Sequence, residues 1–406
     1  MEAQLNENRI DTRHVDVLDG LRAVAVLIVC WYHIWQQSWL TPILSGPVAR
    51  LFGKNVISLD VLPRTGYIIV DFMLLLSAFL LFLPYARTMV EGGPVPDARP
   101  FYKKRFARIV PSYAFAVLLI FFGYAVPAGS FSSFSDGAFE LFTNLTFTQM
   151  FFKRPYLFSR INGVLGTVCV EMQFYLVFPL IAKAFKKQPV LTYLGMVGVS
   201  ELYIRGIALP DESLVRMLVN EFPAFLGVFA NGMLFALLFV RMASRLTRTR
   251  ALSIAGTALV FLSGYAVVQF LHGAAGARNV QVYQLECRYL FSLTLSVLLV
   301  SSTVAARWFR WLLSNRLMRF LSGISYNLYI WHQWLAVRLK GWRVPYWTGD
   351  TPPNLLGDLS WQKMYTLICF LAAFGAAILA TYLIERPAAK AILKMNPILP
   401  QEDRKS

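Results

Sequence analysis

Of the 406 residues, 57% are hydrophobic and only 15% charged, where a soluble domain carries about 25% charged residues. Too little polar surface remains for a water-soluble globule, and the 15% aromatic share suits helices that face lipid and end in interfacial rings. The net charge of +17 comes from Lys and Arg in short loops between apolar runs, a pattern of membrane topology and not of nucleic-acid binding.

Residues 1–17 are polar and carry no pattern of a cleavable leader; they are expected to form a cytoplasmic N-terminal segment. Apolar stretches follow at 18–36, 66–85, 109–127, 163–183, 190–208, 219–241, 251–271, 285–305, 318–339 and 362–384. Each is close to the ~20 residues that cross a bilayer core. The predicted fold is an all-α integral membrane bundle of about ten transmembrane helices over residues 18–386, with a cytoplasmic tail at 387–406 and no second soluble domain.

Loop charge sets the expected orientation. Arg87, Arg99, Lys103, Lys104, Arg105 and Arg108 lie between the second and third spans. Arg241, Arg245, Arg248 and Arg250 lie between the sixth and seventh, and Arg307, Arg310, Arg316 and Arg319 between the eighth and ninth. These loops are expected in the cytoplasm, with both termini there too. Loops 37–65, 128–162 and 340–361 are longer and less basic, and are expected outside. Cys30, Cys169, Cys287 and Cys369 sit in or beside apolar stretches without metal spacing, so free thiols and no metal site are expected.

Ionisable groups at membrane depth cost at least about 2.5–3.5 kcal/mol on insertion scales and mark function. The first span carries Arg22 near its inner end and His33 eleven residues on, on nearly the same face and about 16 Å along the axis. The second carries Asp71, the fourth Glu171 with Tyr175 one turn below, and the ninth Ser325, Tyr326 and His332. The topology places His33, Asp71, Glu171 and His332 at similar depth, which predicts one buried polar site. A second set gathers at the inner mouth: Arg22, the Arg105-x-x-Arg108 pair and Arg386. Guanidinium groups there suit phosphates, which they bind bidentately without ever losing charge.

Six stretches carry a family resemblance: Leu18-Asp19-Gly20-Leu21-Arg22-Ala23 leading to His33; Val70-Asp71-Phe72 leading to Ser77-Ala78-Phe79-Leu80; Phe101 through Arg105 and Arg108 to Pro111; Val170-Glu171-Met172-Gln173-Phe174-Tyr175 with Pro179; Ile324-Ser325-Tyr326-Asn327-Leu328-Tyr329-Ile330-Trp331-His332; and Tyr382-Leu383-Ile384-Glu385-Arg386-Pro387. In this order they resemble the acyltransferase family 3 membrane proteins. Two places depart from the family pattern: Gly166-Thr167-Val168-Cys169 stands where Trp-Ser/Thr is usual, and Ser77-Ala78-Phe79 where Ser-Gly-Phe is usual.

The resemblance implies transfer of an acyl group, commonly acetyl, from cytoplasmic acyl-CoA to a hydroxyl of an extracytoplasmic glycan or glycolipid, in a bacterial inner membrane. It implies acyl-CoA as co-substrate, no permanently bound cofactor, and Arg22 and His33 as the functional pair. Arg105 and Arg108 are implied to hold the donor. His33 is the expected general base, with Glu171 or Asp71 orienting it, and His332, Tyr175 or Tyr326 supporting the oxyanion or the acceptor. Ser325 and Trp331 are further expected substrate contacts, and Ser77 or Ser325 would carry the acyl group in a covalent alternative. A transporter or flippase of lipid-linked glycans is the rival class, for which no internal repeat is found.

Overall fold

A computed structural model describes residues 10–394 apart from His14, Phe52 and Glu212; the outermost parts of the expected terminal segments, 1–9 and 395–406, lie outside it. The main helices are α1 Val17–Ser38, α2 Val70–Val90, α3 Ala98–Ile120, α4 Leu165–Lys187, α5 Pro189–Tyr203, α6 Phe222–Arg245, α7 Arg250–Gly276, α8 Val280–Val304, α9 Arg316–Gly341 and α10 Leu359–Ala380. Among the described residues nine helical segments are long and apolar enough to cross a membrane. The remaining expected span is α9, whose 26 residues reach about 39 Å. Its basic and polar side chains make it less apolar than the rest, and ten of its residues are buried, His332 and Asn327 among them. The protein is an all-α, multi-pass integral membrane bundle. Its strands are a minimal hairpin, Ile43–Ser45 against Val56–Ser58.

Packing follows the sequence closely. α2 is mostly enclosed, whereas α5 and α7 turn most of their surface outward, as lipid-facing helices do. Gly232 of α6 lets α2 approach: a Cβ there would stand 2.5 Å from the Leu75 carbonyl oxygen. Small residues serve this purpose between membrane helices, where close backbone packing supplies the attraction. α1 packs along α9, joined by Ser322 Oγ donating to Asp19 Oδ1 at 2.7 Å. α9 packs in turn on α10, where Asn327 Nδ2 donates to Thr381 Oγ1 at 2.9 Å and Glu385 Oε2 at 2.6 Å.

The segment 128–162 folds over the end of the bundle where His33 lies. Its helix Phe134–Leu145 is capped by Ser133, whose hydroxyl oxygen accepts from the Asp136 main-chain N–H. Asp136 binds Arg154 and Arg160, each at 2.9 Å, and Arg160 also reaches Glu140 at 3.3 Å. Burial pushes the Glu140 carboxyl above its ordinary range, and the main-chain N–H of Arg160 donating at 2.6 Å holds it back. The cluster of two cations and two anions is neutral and pins the segment.

Candidate active site

Two polar cavities lie within the bundle, one beyond the other. The first, about 200 Å³, is lined by Arg22, Arg105 and Arg108 together with Ser77, Glu171, Tyr175, Ser325 and Tyr326. The second, about 270 Å³, is lined by Tyr32, His33, Tyr67, Tyr156, Gln284 and Gln333. Thr167 and Tyr329 line both. The two residues form the shared wall between a compartment of guanidinium groups and one that holds the imidazole.

In the arginine cavity, α1 supplies Arg22 and α3 supplies Arg105 and Arg108. Among the described residues no carboxylate lies within 4.0 Å of any of the three guanidinium groups. Asp19, one turn from Arg22, is instead engaged with Ser322. Arg105 stands over the Phe101 and Tyr175 rings at 5.9 and 5.8 Å, and its Nε is enclosed without a hydrogen-bond partner. Three cations thus share a cavity whose one lining carboxylate is Glu171. Glu171 Oε1 accepts from Ser77 Oγ at 2.7 Å and from the Tyr175 hydroxyl. That geometry is a ready site for a multiply charged anion, because guanidinium–phosphate bonds are stronger than neutral ones and the cations have no competing carboxylate to leave.

In the second cavity the imidazole of His33 is held by amides. Gln36 Nε2 donates to the Tyr32 hydroxyl at 2.9 Å, which turns Gln36 Oε1 towards His33 Nδ1 at 3.1 Å. Nδ1–H then donates to Gln36, and the lone pair of the neutral ring sits on Nε2. Gln333 Nε2 lies 3.1 Å from the same Nδ1, a partner for the other tautomer. Among the described residues His33 thus has an amide partner for either tautomer and no carboxylate hydrogen-bonded to it.

The structure separates residues that sequence depth had grouped. Glu171 belongs to the arginine cavity, one compartment away from His33, and does not orient it. Nor does Asp71: its Oδ2 accepts from Arg288 Nε and its Oδ1 from Gln284 Nε2, both at 3.1 Å. His332 is fully buried behind His33, ring centroids 5.0 Å apart; its Nδ1–H donates to the Leu328 carbonyl at 3.1 Å and its Nε2 has no partner. Tyr175, Ser325 and Tyr326, expected near the acceptor, line the arginine cavity. Ser325 Oγ donates to its own helix at Ser322 O, 2.8 Å away, and Tyr326 OH to the Ile109 carbonyl at 3.0 Å. Arg386 stands over the Tyr382 ring at 4.2 Å, outside the lining of the arginine cavity. Trp331 is buried between Phe115 and Trp334 and lines neither cavity.

Asp71 and Arg288 are 0% and 2% exposed. Arg288 also donates to the Val219 carbonyl at 2.7 Å and stands over the Phe225 ring at 4.0 Å. Breaking a buried pair leaves a bare charge and costs about 3–5 kcal/mol, whereas replacing both partners with apolar residues is often neutral. Asp71→Ala is expected to lower the thermal stability of the detergent-solubilised protein by that much. Asp71→Leu combined with Arg288→Met is expected to recover most of it. An Asp71→Ala variant of normal stability that cannot carry out its reaction would make Asp71 catalytic after all.

The chain matches the acyltransferase domain family over residues 15–386. It is 22% identical to the peptidoglycan O-acetyltransferase OatA of Listeria monocytogenes serovar 1/2a over 340 residues, 80% of this chain and 50% of that protein. It is 24% identical to the O-acetyltransferase OatA of Staphylococcus aureus strain NCTC 8325 over 418 aligned positions, 98% of this chain and 60% of that protein. A shorter stretch of 104 residues is 32% identical to protein 2 in the picA locus of Rhizobium radiobacter. The chain thus spans half to three-fifths of the length of the two O-acetyltransferases. No solved structure gives a significant match. With nearly its whole length inside the family match, the protein belongs to the acyltransferase 3 family.

Proposed function

We propose that this protein is a membrane O-acyltransferase that takes an acyl group, in the simplest case acetyl, from cytoplasmic acyl-CoA and passes it to a hydroxyl of an extracytoplasmic glycan or glycolipid. The observation that carries this is the pair of cavities meeting at Thr167 and Tyr329, one rich in unpaired guanidinium groups and the other holding His33. The basic loops support a cytoplasmic side for the arginine cavity by the positive-inside rule.

Arg22, Arg105 and Arg108 would hold the phosphates of CoA. The pantetheine arm would extend along α1, and Arg22 and His33 are about 16 Å apart by helix rise. The thioester would then arrive at the Thr167–Tyr329 wall, in reach of an acceptor hydroxyl beside His33. His33 Nε2 takes the hydroxyl proton as the oxygen attacks the thioester carbonyl. The resulting imidazolium keeps its Nδ1–H bond to Gln36. The new C–O bond forms, the C–S bond breaks, and His33 returns the proton to the CoA sulfur. General-base catalysis of this kind typically contributes 10²–10⁴-fold. Tyr329, at the wall, is placed to donate to the developing oxyanion.

A donor that binds the folded state raises stability by mass action, by about 2.7 kcal/mol at a hundred times its Kd. Acetyl-CoA is therefore expected to raise the unfolding temperature of the solubilised protein, and desulfo or free pantetheine, lacking the nucleotide phosphates, to raise it far less. Equal response to CoA and pantetheine would remove the arginine cavity from donor binding.

A further inference from the structure

Beyond His33 lies a third cavity of about 400 Å³, bounded by Tyr124, Arg160, Trp334 and Arg338. It adjoins the His33 cavity: Tyr156, Leu157, Gly163 and Gln333 line both. Resting on the acyltransferase reading above, we propose that this outer cavity is an acceptor subsite for an acidic sugar, and that Arg338 holds the sugar's anionic group.

Charge is the first argument. The lining holds two arginines and no carboxylate. Arg160 is neutralised by Asp136 and Glu140. Arg338 has no carboxylate within 4.0 Å among the described residues. Its Nη1 donates to the Tyr124 hydroxyl, its guanidinium stands over that ring at 4.6 Å, and its Nε is enclosed without a partner. A guanidinium left with an enclosed, unused donor is costly unless a partner such as an anion completes it. The neighbouring His33 cavity repeats the bias: its lining has Arg216, exposed and, among the described residues, in no ion pair, and no acid.

Ring chemistry is the second argument. Trp334 meets Tyr124 at 5.7 Å and Trp342 at 6.2 Å between centroids, both edge to face, and the Trp334 and Tyr124 rings line the cavity beside Arg338. Ser130 offers a hydroxyl on the facing segment, where Ser159 and Asn162 are held by Glu140 and the Ile330 carbonyl. Apolar rings with a few placed polar groups and one charge make a pocket that orients a polar cyclic ligand. A sugar seated there, its carboxylate or phosphate on Arg338, would direct a hydroxyl past Gln333 to His33.

The test is titration of tryptophan fluorescence in the full chain, reconstituted in phosphatidylcholine nanodiscs. The ligands are a glucuronate-containing disaccharide, its carboxyl-reduced neutral counterpart and inorganic phosphate. The acidic disaccharide is expected to bind at least about tenfold more tightly than the neutral one, the order of one charge-assisted hydrogen bond. Arg338→Gln is expected to bring the two within about twofold of each other, Arg338→Lys to restore part of the difference, and Trp334→Phe to remove most of the signal. Acetyl-CoA stabilisation of Arg338→Gln should match that of the unsubstituted protein, showing that the fold and donor site are intact. Competition by phosphate at the same strength keeps the anion subsite and assigns it phosphate in place of carboxylate. Loss of sugar binding in phosphatidylglycerol nanodiscs would make Arg338 a lipid-headgroup site and overturn the proposal. So would equal binding of acidic and neutral sugars, no binding of either, or unchanged discrimination in Arg338→Gln. If acetyl-CoA fails to stabilise any form, the acyltransferase reading fails, whatever the sugars do.

Discussion

His33→Ala is expected to reduce acyl transfer by about 10²–10⁴-fold, the usual worth of a general base, while acyl-CoA binding stays within about twofold because the guanidinium groups are in another compartment. With Nδ1–H on Gln36 Oε1 the imidazole keeps Nε2 for chemistry, and among the described residues no carboxylate is hydrogen-bonded to it. His33→Gln should fail as well, since an amide keeps a hydrogen bond but cannot accept a proton. Gln36→Ala should lower turnover too, because Gln333 then favours the tautomer whose Nε2 already carries the proton. Turnover assays with acetyl-CoA and a thiol reagent that detects released CoA would separate these variants. Retention of more than about a tenth of normal turnover by His33→Ala would make it structural.

Arg105→Ala with Arg108→Ala is expected to weaken acyl-CoA binding by a hundredfold or more, at about 1.5–3 kcal/mol for each charged hydrogen bond lost. The fold should survive, since among the described residues neither guanidinium has a carboxylate partner to abandon. Arg105→Lys should recover only part, because a point charge replaces a planar fork and its stacking on Phe101 and Tyr175. Isothermal titration with a non-hydrolysable acyl-CoA reads the change. Unchanged affinity in the double variant would remove this cavity as the donor site.

The spans were legible because about 20 apolar residues in a row have few other uses. α9 is legible as a helix despite its polarity, since Ser325 and His332 lie seven residues apart on one face. The arginine set is legible as a cluster, since Arg22, Arg105 and Arg108 line one cavity, except for Arg386, which stands over Tyr382 at 4.2 Å. What sequence depth could not give was lateral position. Asp71 and His33 lie at comparable depth, yet α8 presents Gln284 and Arg288 to Asp71, 213 and 217 residues along the chain. Glu171 finds Ser77 94 residues away. The glutamines beside His33 do not stand out in the sequence, because neutral amides in a span carry little signal by themselves. Gln36 sits one turn beyond His33 on the same helix, so spacing alone could have found it; Gln333 comes from α9 and could not be found that way. Thr167 and Tyr329 were inside quoted motifs, but their place at a shared wall exists only once α4 and α9 are packed.

The central claim is that the acyl group crosses the membrane within this chain while the acceptor stays outside. Its most direct test uses sealed inside-out vesicles, which expose the cytoplasmic face, from a host that makes the protein. Acetyl-CoA labelled in the acetyl group is added outside, where it cannot cross the bilayer. The account predicts label on glycan or glycolipid enclosed in the lumen, protected from added esterase until detergent opens the vesicles, and absent with His33→Ala or the Arg105/Arg108 double variant. Label confined to esterase-accessible material on the outer surface, or label in the lumen that persists in both variants, would contradict it.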